Sequence, residues 1–378
     1  MIVLAKAEFL DVHVLRRFLE RMAPEMLRMV FVIILLVFSF ADTASSGEKD
    51  SITLKVHHFM PHDSFTQREF LQPWADKITR ESGGRIRFHF FPEMQLGGKP
   101  TQLIDQARSE TADVVWALPG YSSGAYQLTG VFELPFMNLS AEASSQALWD
   151  FLEKHGQREY QGIKLLATHI TDSAVLHTRK HPIRTIADFA GLRIRTSNEV
   201  QSRMISLFGG QPQIIPINQL PAALARGLLD GAVVPWDVAT SVKLQERVKF
   251  HTETAPEMPK LMYSALVLAM SKARYDSLPA DLQKIIDANS GRTLSRHAGR
   301  LWDTYGTDAG HRLAYEKNND VMVLDTKEQN RWMEVTRSLD RDWVSEVEKQ
   351  GYANGIGLLK EARQMVEKYN SVTPARPQ

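Results

Sequence analysis

The chain has 378 residues, 43% hydrophobic and 24% charged, with 45 basic against 44 acidic side chains. Such a length exceeds one ordinary domain and suggests two, and a net charge of +1, without a basic stripe of interleaved aromatics, gives no electrostatic footprint for nucleic acid. The absence of cysteine excludes a disulfide framework and thiolate metal ligands.

The first predicted element is a targeting segment. Met29 to Ala41, "MVFVIILLVFSFA", carries no charge, follows Arg28 and precedes small polar residues. Its length of about 13 residues falls short of the roughly 20 that a spanning helix needs. It matches the apolar core of a secretory signal, with cleavage between Ala44 and Ser46. Residues 1–44 are therefore read as leader and signal peptide, with Met26 as a better start, and the mature protein is expected outside the cytoplasm. An uncleaved anchor is the alternative.

Strand and helix patterns then alternate. "ITLKVHHF" puts Ile52, Leu54 and Val56 on one face of a strand. Ser64 is placed to cap a helix carrying Phe65, Trp74 and Ile78, stopped by Gly83-Gly84. "RIRFHFFP" reads as a strand, Pro100 to Glu110 as a helix and "ADVVWALP" as a strand, an order that predicts a parallel sheet covered by helices. "IKLLATHI", "SAVLHTRK" and "GLRIRT" are further strands. A helix from Asn198 to Leu207, the strand "PQIIPI", the helix "QLPAALARGLL" and the strand "DGAVVPW" complete a second α/β unit. "LMYSALVLAMS" (Leu261 to Ser271) is long and apolar enough to cross back into the first sheet. From Leu278 onward the pattern is helical. The expected division is residues 50–172 plus 262–290 for one lobe and 173–261 plus part of 291–335 for the other. Helices over 336–370 and a disordered tail at 371–378 follow.

Two α/β lobes joined by crossing strands leave a cleft, and ligands of open α/β sheets bind beyond the carboxyl ends of strands. His57, His58, Met60 and His62 follow the first strand, and Trp116 to Tyr121 end the third. Arg195 ends "LRIR", and Trp236-Asp237 follow "DGAVVP". In "GLRIRTSN", Arg193 and Arg195 share the face opposite Leu192 and Ile194. At the strand end, the Arg195 guanidinium offers a planar fork that fits a carboxylate; a surface or interlobe salt bridge is the alternative. Arg193 reads as solvated or salt-bridging. Trp236 and Tyr121 could stack on a ligand, with core packing the alternative for Trp116 above all. The histidines of "HHFMPH" have no carboxylate at i, i+4, so a ligand contact or a satisfied histidine is preferred to a metal. Asp237 would repel an anion if it pointed inward and is expected to face outward or to bind a neutral donor. Zinc-protease, P-loop and dinucleotide motifs are all missing.

The segments "ESGGRIRFHFFPEMQLGG", "FELPFM", "IRTIADFAGLRIRTSN", "LFGGQPQIIPINQLPAALARGLLDGAVVP" and "SLPADLQKII" run in the order of a known family. In them the chain resembles the extracytoplasmic solute-binding proteins of tripartite ATP-independent periplasmic (TRAP) transporters, the C4-dicarboxylate-binding-protein or DctP type, over about residues 50–335. The resemblance implies a two-lobe periplasmic-binding-protein-like α/β fold, with crossing strands and a long helix spanning both lobes. It implies a periplasmic protein without catalysis, cofactor or metal, which hands an organic acid to small and large membrane subunits. Membrane contact is then made only through the transporter.

By position in the motif, Arg195 is the residue that holds the substrate carboxylate. Further ligand contacts are implied around His58, Met60, His62 and Ser64, at Trp116 and Tyr121, and at Trp236. Sialic-acid-binding members carry an arginine and an asparagine where this chain has Val175 and Val234, which points to a smaller or more aromatic acid. A binding protein for an ATP-driven importer or a sensor kinase, and an enzyme on a two-lobe fold, are the other classes weighed.

Overall fold

A computed structural model describes residues 51–122 and 124–371. The leader, the signal segment and residues 372–378 lie outside the described residues. One five-stranded sheet is built from β1 (Ile52–His57), β2 (Ile86–Phe91), β3 (Val114–Ala117), β4 (Ile163–Ile170) and β10 (Ala265–Ser271), in the order β2-β1-β3-β10-β4. A six-stranded sheet holds β5 (Ala174–Thr178), β6 (Arg193–Thr196), β7 (Gln211–Ile214), β8 (Gly231–Pro235), β9 (Phe250–Glu253) and β11 (Asp320–Val323), in the order β11-β9-β5-β8-β6-β7. The long apolar run from Leu261 does return to the first sheet, as its pattern predicts.

The parallel direction expected from the β-α-β-α-β order is found for β1, β2 and β3 and is shared by β4, while β10, between β3 and β4, runs antiparallel to both. The second sheet has the same irregularity: β5 runs antiparallel to β8 and β9. These are the two strands that follow an interlobe crossing. A chain leaving one sheet at its cleft end enters the other from the cleft end, and so runs against strands that point toward the cleft. The two crossing segments also pair with each other, Thr171 N–H donating to Ser264 O (3.0 Å) and Ala174 N–H to Met262 O (2.8 Å).

Around the sheets lie α1 (Gln72–Glu81), α2 (Leu103–Arg108), α3 (Ala141–His155), α4 (Glu199–Leu207), α5 (Leu220–Ala225), α6 (Trp236–Ser241) and α7 (Ala280–Ala288). The 25-residue α8 (Arg292–Glu316) follows, and α9 (Thr326–Thr336), α10 (Ser338–Lys349) and α11 (Gly355–Asn370) close the chain. Caps set several starts. Asn198 Oδ1 accepts from Gln201 N–H (2.8 Å) at α4, Ser140 Oγ from Ala143 N–H (3.2 Å) at α3, and Ser64 Oγ from Gln67 N–H (3.4 Å) ahead of the wound turn that leads into α1.

At about 1.5 Å per residue α8 is roughly 37 Å long, and it packs on α3 of one lobe and α6 of the other. Glycine permits both approaches. A Cβ on Gly299 would lie 2.3 Å from Ala141 O, and one on Gly310 would lie 2.4 Å from the Trp236 ring.

Candidate functional site

A small cavity lies between the lobes. Phe59, after β1, Trp116, Leu118 and Tyr121, at and after the end of β3, and Leu266 on β10 supply one wall. Arg195 and Ser197, at the end of β6, Ile217, and Val233 to Pro235 on β8 supply the other. Thr171 and Ser264 come from the crossing segments, Asp237 and Val238 from α6, and Trp302 from α8. The cavity thus sits at the cleft ends of both sheets, where strand geometry had placed the candidates.

Arg195 is 3% exposed, yet all its hydrogen-bond partners among the described residues are neutral oxygens. Nε donates to Ile215 O (2.8 Å), Nη1 to Val233 O (3.3 Å) and Nη2 to Tyr121 Oη (3.1 Å). Burial lowers its pKa from the ordinary guanidinium value, and Tyr121 offsets only part of that. No acidic side chain pairs with it among the described residues. A guanidinium remains protonated even so, and an uncompensated buried cation is costly, by several kcal/mol before relaxation. Tyr121 Oη also accepts from Ile217 N–H (3.1 Å). With both lone-pair directions engaged by N–H donors, its own proton is left to donate. Ser197 Oγ, two residues beyond Arg195 and so on the same side of the chain, has no hydrogen-bond partner among the described residues. The Arg195 end of the cavity is therefore rich in donors and poor in negative charge.

The rest of the wall is mainly aliphatic and aromatic, with Thr171, Ser264 and Asp237 as its polar members. Phe59 meets Trp116 at 4.9 Å and Tyr121 at 5.6 Å between ring centroids. Trp116 Nε1–H donates to His169 Nε2 (2.9 Å), which makes Nε2 the unprotonated nitrogen, and His169 packs on Trp302 at 4.1 Å. Burial pushes the His169 pKa down to about 3, so it is neutral and serves as a fixed acceptor behind the wall. Trp302 Nε1–H donates to Asp237 Oδ2 (2.9 Å).

The candidates from sequence divide in two. Arg195, Trp116 and Tyr121 line the cavity, and Val234 does so as well. His58, Met60, His62, Ser64 and Trp236 do not. His58 is buried, its Nε2 paired with Gln67 Oε1 (2.9 Å), and burial lowers its pKa to about 4. Met60 is in the core, His62 is exposed, and Ser64 is spent as a cap. Trp236 is turned away from the cavity, against Gly310, His177 and His251, and its indole donates to Glu253. A tryptophan that opens a helix directly after a cleft-facing strand rotates away as the chain turns; Asp237, the next residue, takes the cleft position. Asp237 does not face outward. It binds a neutral donor, the second of its two expected arrangements. Phe59, Ser197, Leu266 and Trp302 are wall residues that sequence reasoning did not single out. Ser197 was recoverable by the i, i+2 rule from Arg195, and Phe59 lay within "HHFMPH"; nothing local marks Trp302.

Residues 57–346 match the family model of bacterial extracellular solute-binding proteins, family 7 (DctP). The chain belongs to this family. It is an extracytoplasmic solute-binding protein of the TRAP type. It is similar to a TRAP solute-binding protein from Rhodoferax ferrireducens solved with copurified benzoate, at 38% identity and a TM-score of 0.83 over 85% of this chain and 99% of that one. A marine-metagenome TRAP solute-binding protein specific for aromatic acid ligands, solved with 3-hydroxybenzoate, matches at 34% identity and a TM-score of 0.82 over 85% and 99%. One from Bordetella bronchiseptica with bound mandelate matches at 25% identity and a TM-score of 0.77 over 84% and 99%. In this solute-binding protein the two lobes, the crossing strands and the long helix expected from the motif are all present.

Proposed function

We propose that this solute-binding protein captures an aromatic monocarboxylate between its lobes and delivers it to TRAP membrane components for uptake. The observation that carries this reading is Arg195: a buried guanidinium with neutral partners only, at the end of a box of aromatic and aliphatic side chains. A carboxylate would pair with the fork, with Ser197 Oγ and Tyr121 Oη as further donors. Closure removes water from that pair and strengthens it as the effective dielectric falls. The ring would fill the space among Phe59, Trp116, Leu266 and Trp302; burying about 150 Å² of it is worth roughly 4 kcal/mol. Relatives that bind benzoate, 3-hydroxybenzoate and mandelate support this ligand class.

On this reading the protein is not an enzyme. It is exported by a cleaved signal segment, works in the periplasm and docks on the small and large TRAP subunits when closed. The test is isothermal titration of the mature protein with benzoate and with succinate, preceded by native mass spectrometry for a copurified acid. Saturable binding of benzoate and none of succinate is expected. Binding of succinate or a sugar acid without benzoate overturns the aromatic assignment.

A further inference from the structure

Two buried polar atoms of the cavity residues, Ser197 Oγ and Asp237 Oδ1, lack a hydrogen-bond partner among the described residues. Ser197 belongs to the carboxylate end. Asp237 does not. It follows Val233, whose carbonyl takes the Arg195 guanidinium, by four residues, at most about 13 Å of extended chain. Both groups line the one cavity.

Asp237 is held rigidly. It is 3% exposed on the first turn of α6, and Trp302 Nε1–H fixes its Oδ2. Leaving the second oxygen of a buried carboxylate bare is costly, and a ligand O–H directed at Oδ1 supplies the missing bond. A second carboxylate there would meet Asp237 and the nearby Asp172.

We infer, resting on the aromatic-acid reading above, that Asp237 is a specificity-determining residue that selects aromatic monocarboxylates whose ring hydroxyl can reach its unpartnered oxygen. Burial, opposed by the Trp302 hydrogen bond and reinforced by Asp172, pushes the Asp237 carboxyl up to about 7. Above that pH it acts purely as an acceptor.

The test is titration at pH 8 with benzoate, the three hydroxybenzoates and the matching methoxybenzoates. The wild type is expected to bind one hydroxybenzoate about 10- to 100-fold tighter than benzoate, the range for a hydrogen bond to a charged group, and to disfavour its methyl ether. In Asp237→Leu the hydroxybenzoate-to-benzoate ratio falls toward one. Asp237→Asn keeps an acceptor for Trp302 and turns an N–H donor to the cavity, so its hydroxy-over-methoxy ratio drops at least tenfold. Ratios within one protein are insensitive to a general loss of folding. Equal wild-type affinity for benzoate and every hydroxybenzoate, or ratios unmoved in both variants, overturns the role of Asp237 and leaves the aromatic-acid reading standing. Failure of the wild type to bind any aromatic acid overturns both.

Discussion

The two ends of β6 carry the same side chain in opposite circumstances. At its entry Arg193 is half exposed and pairs through Nε and Nη2 with both oxygens of Asp230 (2.9 and 3.0 Å). At its exit Arg195 is buried among neutral oxygens only. Both sit on one face of one strand, so local structure does not separate them. Position along the strand does, because the entry lies at the solvent-facing edge of the sheet and the exit opens into the cleft. An arginine whose charge is already neutralised by its own chain is a structural device, and one buried without a counter-ion among the described residues is the proposed anchor for an anion.

The largest expected effect breaks that contrast at its functional end. Arg195→Ala should weaken aromatic-acid binding by about 2–5 kcal/mol, the range for leaving a buried charge unpaired. Calorimetry reads this directly, and an unchanged affinity would remove Arg195 from the site. Tyr121→Phe sharpens the same end. It deletes one donor and the bridge from Arg195 to Ile217 N–H, for a loss of about 0.5–1.5 kcal/mol in affinity, with the apolar wall intact.

The next prediction extends the contrast to buried acids. Glu133 and Glu159 are lifted by burial to about 8 and 7, and Asp237 to about 7, with hydrogen bonds to each lowering its pKa only in part. A carboxyl whose folded pKa is raised holds a proton that the unfolded chain has already released. Stability therefore falls as pH rises above the unfolded value and through the folded one. Buried His58, His169 and His251, lowered to about 4, 3 and 4, act in the opposite sense, but only below about 6.5. Between pH 6.5 and 8 the carboxyls act in the same sense as His311, whose pKa is raised by its hydrogen bond to Glu253, and Tm should decline. Glu133→Gln, which keeps an acceptor for Ala265 N–H (3.0 Å), should flatten that slope; a Tm that rises across this window would contradict the burial argument.

The smallest effect lies at the other end of β6. Arg193→Ala removes an exposed ion pair, so Tm should drop only slightly and ligand affinity should not change. A large loss of affinity there would erase the distinction between the two arginines.

Much of this molecule was readable from residue order. Period-two runs marked most strands of both sheets, Asn198 and Ser64 announced helix starts, and the "GLRIR" motif led to Arg195. What escaped has physical reasons. β9 and β11 are four-residue strands, one carrying buried His251 and Thr252 and the other half exposed, so neither shows apolar alternation. α3, over Ala141–His155, buries serines and a glutamate along with its apolar face, which blurs its helical pattern.

The sequence by itself determined the alternating α/β plan, the crossing strands, the family and the arginine most suited to a carboxylate, because each rests on local periodicity or motif order. Only the tertiary structure decided which side chains meet. It reversed one strand in each sheet at the crossings, turned Trp236 away from the cleft and set Asp237 in its place. It also brought Trp302 onto the wall from a helix that follows both sheets' cavity strands in the chain. Those choices depend on how two lobes close on each other across long stretches of chain, and no local pattern encodes that.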